Sequence, residues 1–192
     1  MTRKHITHLL YLHGFRSSPQ SAKARRMAAW VREHRPDLHW WCPQLPPSPR
    51  EAMARLMEGV AGWPVQHMAV IGSSLGGFYA TVAAERAGCR AVALNPAVHP
   101  QRHFGRYLGP QENLYTGERF DLTREHVAEL AAMDPPGITH PGRYWLIVET
   151  GDEVLDYREA VALFTGARQT VLEGGDHGFT RFSEYLPAIL AF

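Results

Sequence analysis

The sequence predicts an α/β architecture: a mostly parallel sheet of about six strands with helices on both faces. Three observations carry that expectation. Short, nearly continuous apolar runs recur along the chain, as in strands covered on both faces. They alternate with segments whose apolar residues repeat at helical spacing, as strand-helix-strand crossovers require. The residues with chemical potential then follow the ends of these runs, where sites form in such sheets.

The first run, Ile6-Thr7-His8-Leu9-Leu10-Tyr11-Leu12, ends at His13-Gly14-Phe15 and reads as a strand. Ser18-Pro19 then supplies an N-cap and a first-turn proline for a helix that places Ala24, Met27, Ala28 and Val31 inward and stops at Pro36-Asp37. Leu38-His39-Trp40-Trp41-Cys42 is a second, short strand running into a proline-rich loop over residues 43–49. Ser48-Pro49-Arg50-Glu51 has the form of a capping box and opens a helix with Met53, Leu56, Met57 and Val60 on one face, closed by Gly59, Gly62 and Pro64.

The third run, Met68-Ala69-Val70-Ile71, leads into Gly72-Ser73-Ser74-Leu75-Gly76 and a helix beginning at Phe78. Gly-x-Ser-x-Gly between a strand and a helix is a turn that lifts its serine clear of the sheet, so the residues two before and two after must be small. Ser74 has glycines at both positions; Ser73 does not.

Ala91-Val92-Ala93-Leu94 is the fourth strand, ended by Asn95-Pro96. Residues 97–121 have no period; their aromatic content predicts an ordered, short cap near residues 98–121. Thr123 caps a helix with Val127 and Leu130 inward, stopped by Asp134-Pro135-Pro136. Tyr144-Trp145-Leu146-Ile147-Val148 is the fifth strand and opens into Glu149-Thr150-Gly151-Asp152-Glu153. A helix with Tyr157, Val161 and Phe164 follows, then a last strand, Gln169-Thr170-Val171-Leu172, which delivers Gly175-Asp176-His177-Gly178. The C-terminal helix carries Phe182, Tyr185, Leu186 and Ile189, with a kink at Pro187.

Composition bounds the function. The 192 residues show no linker or composition shift, so a single domain spanning residues 1–192 is expected. A net charge of +1 gives no electrostatic case for nucleic acid or an anionic membrane, which leaves a small-molecule substrate as the expected partner; the oligomeric state is not fixed by it. Cys42 and Cys89 lack zinc or redox spacing and are expected as buried free thiols. Arg3 and Lys4 precede an apolar run too short, and without the small-residue cleavage site, for a signal peptide, so a cytoplasmic location is expected. The histidines offer no His-Glu-x-x-His, and no Gly-x-Gly-x-x-Gly follows the first strand, so no metal or dinucleotide cofactor is expected.

A serine hydroxyl is a weak nucleophile at neutral pH and needs an imidazole to take its proton and a carboxylate to fix the tautomer. Ser74, Asp152 and His177 supply these groups, each just past a strand, in the order found in α/β-hydrolases. Glu149, Glu153, Asp156 and Asp176 compete for the acid role; Asp152 is preferred because Gly151-Asp152 sits where the chain turns toward the other strands. Backbone N–H groups of Leu75 and Phe15 are the expected oxyanion donors, with His13 supporting the second loop. Arg16, Phe78, Arg102, Arg106, Val154 and Phe179 are candidates for the substrate pocket.

Assembled, these residues resemble the YqiA-like family of small α/β-hydrolase esterases. The resemblance rests on Tyr11-Leu12-His13-Gly14-Phe15 with Ser17-Ser18-Pro19, Gly72-Ser73-Ser74-Leu75-Gly76-Gly77, Asn95-Pro96-Ala97, Tyr115-Thr116-Gly117-Glu118, residues 150–157 and Gly174-Gly175-Asp176-His177. It implies a cofactor-free hydrolase with Ser74, Asp152 and His177 as its triad, lacking the first two strands of larger members. Two functions are consistent with this reading: a serine esterase or thioesterase cleaving small to medium acyl groups, and a non-catalytic ligand-binding module that keeps the scaffold. Loss of a triad member would mark the second.

Overall fold

The computed structural model describes residues 5–192; Arg3 and Lys4 lie outside them. In chain order the elements are β1 (His8–Leu12), α1 (Ala22–His34), β2 (His39–Trp41), α2 (Pro49–Val60), β3 (Met68–Ser74), α3 (Leu75–Ala87), β4 (Arg90–Pro96), α4 (Gln101–Phe104), β5 (Gly109–Glu112), β6 (Arg119–Leu122), α5 (Arg124–Met133), β7 (Tyr144–Glu149), α6 (Tyr157–Leu163), β8 (Arg168–Leu172) and α7 (Phe182–Leu190). Six strands form one sheet in the order β2-β1-β3-β4-β7-β8, every neighbouring pair parallel. The α/β expectation is met. Among the described residues no strand precedes β1, which runs directly into the His13-Gly14 turn.

The four central strands, β1, β3, β4 and β7, are buried on both faces because alternate residues serve two cores, while the edge strands β2 and β8 are partly exposed. Leu10, Leu12, Met68, Val70, Ala91, Ala93, Leu146 and Val148 face α2, α3, α5 and α6. Leu9, Tyr11, Ala69, Ile71, Val92, Leu94, Trp145 and Ile147 face α1 and α7, where Met27, Val31, Phe182 and Ile189 complete the packing. Helix α3 is buried from Leu75 to Ala84, so it shows no polar stripe, and it ends at Gly88 in the left-handed region (φ 78°).

Several element ends differ from the sequence reading. Ser18-Pro19 does not start α1: Ser18 Oγ accepts from the Gln20 N–H in a turn, and Ser21 is the residue before the helix. Ser48 caps α2 through the Glu51 N–H at 3.2 Å, but its O–H donates to Glu129 Oε2 at 2.8 Å, tying α2 to α5. The cap is not irregular: it holds α4, a 3-10 turn and an antiparallel hairpin of β5 and β6. Cys42 is only partly buried while Cys89 is fully so, and burial pushes both thiols up to about 12. Among the described residues no helix is long and apolar enough to cross a membrane.

Candidate active site

The site lies beyond the carboxyl ends of β1, β3, β7 and β8. Ser74 is the last residue of β3 and stands at φ 58°, ψ −127°, a backbone conformation L residues seldom adopt. The surrounding glycines make that turn possible. A Cβ on Gly72 would collide with the carbonyl of Gly76, and one on Gly76 would collide with that of Leu12. Gly77 is needed as well: its Cβ would stand 2.6 Å from that of Pro96.

Ser74 Oγ lies 2.9 Å from His177 Nε2. His177 Nδ1 lies 2.8 Å from Asp152 Oδ2 and 3.0 Å from Oδ1. Asp152 Oδ1 also accepts the backbone N–H groups of Val154 and Leu155, each at 2.9 Å. Burial pushes the Asp152 carboxyl up, but the bond from His177 and these two N–H groups outweigh it and hold the group below its ordinary range. An ionised carboxylate only accepts, so His177 Nδ1 carries the proton and Nε2 offers its lone pair to the serine hydroxyl. Serine, imidazole and carboxylate linked in this way can pass a proton from Oγ to Nε2 as the oxygen attacks an electrophilic carbon.

Leu75 is the first residue of α3, so its N–H is one of those the helix leaves without an internal partner. Phe15 sits in the turn after β1, beside Ser74: a Cβ on Gly14 would lie 3.3 Å from that of Ser74. His13 steadies this turn. Its Nε2 accepts the Leu45 N–H at 3.2 Å, so Nδ1 carries the proton and donates to Gly14 O at 3.1 Å. Burial lowers the His13 pKa more than its backbone hydrogen bonds raise it.

A cavity of about 220 Å³ opens at Ser74 and His177. Its wall is mainly apolar, from Phe15, Leu75, Val98, Phe104, Tyr107 and Leu155, with Val154 and the arginines Arg16 and Arg106 also lining it. Three sequence candidates lie elsewhere. Phe78 is 3% exposed and packs in the α3 core, because it falls on a part of that helix covered all round. Phe179 is fully buried against Phe182 in the core beneath α7; it borders a second groove that also reaches Ser74 and His177. Arg102 projects from α4 into solvent and does not line the cavity. The cap closes over the Phe15 turn through Leu114 N–H to Arg16 O at 2.9 Å, Arg16 Nε to Glu112 O at 2.9 Å, and Asn113 Nδ2 to Ser17 O at 2.8 Å.

Sequence reasoning missed the supports of the His177 loop, Asn95, Glu149 and Arg181, described below. For Glu149 the available signal was a charged side chain closing an apolar strand run, which must be partnered when buried. Among the described residues no group of three or more His, Cys, Asp or Glu is placed to hold a metal ion.

An uncharacterised protein family, UPF0227, the YqiA-like family, matches residues 8–192. Similar solved structures include alpha/beta hydrolase domain-containing protein 10 from mouse, 13% identical over 97% of this chain and 89% of that one, with a TM-score of 0.72. Est1E from Butyrivibrio proteoclasticus is 12% identical over 99% and 87%, with a TM-score of 0.69. A Paleococcus ferrophilus monoacylglycerol lipase is 16% identical over 97% and 94%, with a TM-score of 0.68. At these identities the likeness establishes the fold, that of the α/β-hydrolases.

Proposed function

Since the chain belongs to the UPF0227 family, we propose that it is a serine hydrolase that cleaves small to medium acyl esters or thioesters through an acyl-enzyme. The observation that carries this reading is the continuous chain of contacts from Ser74 Oγ to His177 Nε2 at 2.9 Å and from His177 Nδ1 to Asp152 at 2.8 Å. Ser74 Oγ attacks the acyl carbon while His177 Nε2 takes its proton, and Asp152 stabilises the imidazolium. The Leu75 and Phe15 N–H groups receive the oxyanion. His177 returns the proton to the leaving alkoxide or thiolate, and a water activated by the same imidazole then frees the acid.

The apolar wall supports an acyl chain in the 220 Å³ cavity. Arg16 and Arg106 at its edge would meet an anionic carrier group, so Arg106→Ala raises KM for an acyl-CoA more than for the matching simple ester. The reading is tested by Ser74→Ala, which lowers turnover of a p-nitrophenyl ester at least about 10³-fold. Unchanged turnover in that variant would end this reading; failure of a fluorophosphonate to label Ser74 would favour a non-catalytic ligand-binding module.

A further inference from the structure

The His177 loop is held by a network that the three reacting groups do not explain. Glu149, the last residue of β7, has no exposed surface. Its Oε1 accepts from Arg181 Nε at 2.7 Å and its Oε2 accepts the backbone N–H of Asp176 at 2.8 Å. Asn95, near the end of β4 and in the left-handed region (φ 38°), accepts the Glu149 N–H through Oδ1 at 2.9 Å. Its Nδ2 donates to the Asp176 carbonyl at 3.0 Å. Both polar backbone groups of the residue before His177 are thereby fixed to the two strands beneath it. The loop is drawn down so closely that a Cβ on Gly175 would collide with the Glu149 carboxylate.

A buried carboxylate is costly unless fully paired, and this one is paired by one partly exposed arginine and one loop amide. Glu149 is among the acids that compete in the sequence for the role beside the imidazole, yet its carboxylate reaches the backbone of residue 176, while Asp152 takes the imidazole. We infer that Glu149, with Asn95 and Arg181, is the positioning device for His177, setting the imidazole at bonding distance from Ser74 without touching the reacting atoms. This inference rests on the Ser74-His177-Asp152 reading.

Glu149→Gln tests it. The amide keeps the shape but accepts at one end only, so either Arg181 Nε–H or the Asp176 N–H faces another donor. The expected result is an unchanged far-UV circular dichroism spectrum, kcat for a short p-nitrophenyl ester lower by about 10- to 100-fold, and KM within about twofold. The far-downfield proton resonance of His177 Nδ1–H, identified by its absence from His177→Gln, weakens or disappears. Asn95→Asp, which keeps the acceptor for Glu149 N–H but sets an oxygen against the Asp176 carbonyl, gives the same pattern and carries the test if Glu149→Gln does not fold. Arg181→Met lowers kcat in the same way and Arg181→Lys restores most of it. Folded Glu149→Gln or Asn95→Asp with wild-type kcat and an intact downfield resonance overturns the positioning role. The resonance does not depend on turnover, so a wild type that shows it, loses it in these variants and yet hydrolyses nothing contradicts the hydrolase reading alone.

Discussion

Asp152 meets His177 with both carboxylate oxygens, at 2.8 and 3.0 Å from Nδ1. Asp152→Asn replaces one acceptor by a donor and allows the tautomer with the proton on Nε2. We expect kcat for a p-nitrophenyl ester to fall about 10³- to 10⁴-fold, with KM little changed. The same pair leaves a mark on stability. The folded carboxyl is held below its ordinary range, so it stabilises the fold above the unfolded value of about 4 and loses that contribution as pH falls through the folded value. Urea midpoints measured below about pH 4 should drop more steeply in wild type than in Asp152→Asn.

His13 works in the same direction at higher pH. Its folded pKa is lowered chiefly by burial, so its contribution is complete above the unfolded value of about 6.5 and is lost as pH falls through the folded one. His13→Ala leaves the Leu45 N–H and the Gly14 carbonyl without their partners and should cost about 1–3 kcal/mol at pH 8. The difference from wild type should shrink by pH 5. Chemical denaturation at the two pH values checks both statements.

The glycines of the Ser74 turn are steric requirements. Gly76→Ala forces a Cβ onto the Leu12 carbonyl and should destabilise by about 3 kcal/mol or more, with loss of esterase turnover. Gly62, with nothing within 4 Å of an added Cβ, is the control: Gly62→Ala should stay within about 1 kcal/mol of wild type. Thermal and urea denaturation compare the two.

The sheet was readable from sequence because strands buried on both faces must be apolar at nearly every position, as in Met68-Ala69-Val70-Ile71 and Tyr144-Trp145-Leu146-Ile147-Val148. Ser74 and Asp152 were readable because each follows such a strand; His177 follows the partly exposed edge strand β8 and was readable from its glycine-flanked loop. The cap hairpin was not. Gly109-Pro110-Gln111-Glu112 has no alternation, and its order comes from contacts with Arg16 and Ser17 far away in the chain. Phe78 and Phe179 looked like pocket residues by proximity in sequence to Ser74 and His177, but a helix or loop beside a site turns half its side chains into the core. Asn95 and Arg181 left little trace, since their roles are hydrogen bonds to a backbone segment some 80 residues away in one case and to a buried carboxylate in the other.

The cavity sets a chain-length limit. Val98 is 6% exposed and lines it. Val98→Phe should lower kcat/KM for an octanoyl ester at least about tenfold relative to the acetyl ester, since each excluded methylene is worth about 1–3 kcal/mol. An acyl-chain series of p-nitrophenyl esters reads the ratio.

Covalent labelling by a fluorophosphonate, located by peptide mass spectrometry, asks most directly whether Ser74 is an activated nucleophile. The expected result is one adduct on Ser74 in the wild type, none in Ser74→Ala, and slow adduct formation in His177→Gln. A wild type that takes no label, or takes it equally in Ser74→Ala, contradicts the account.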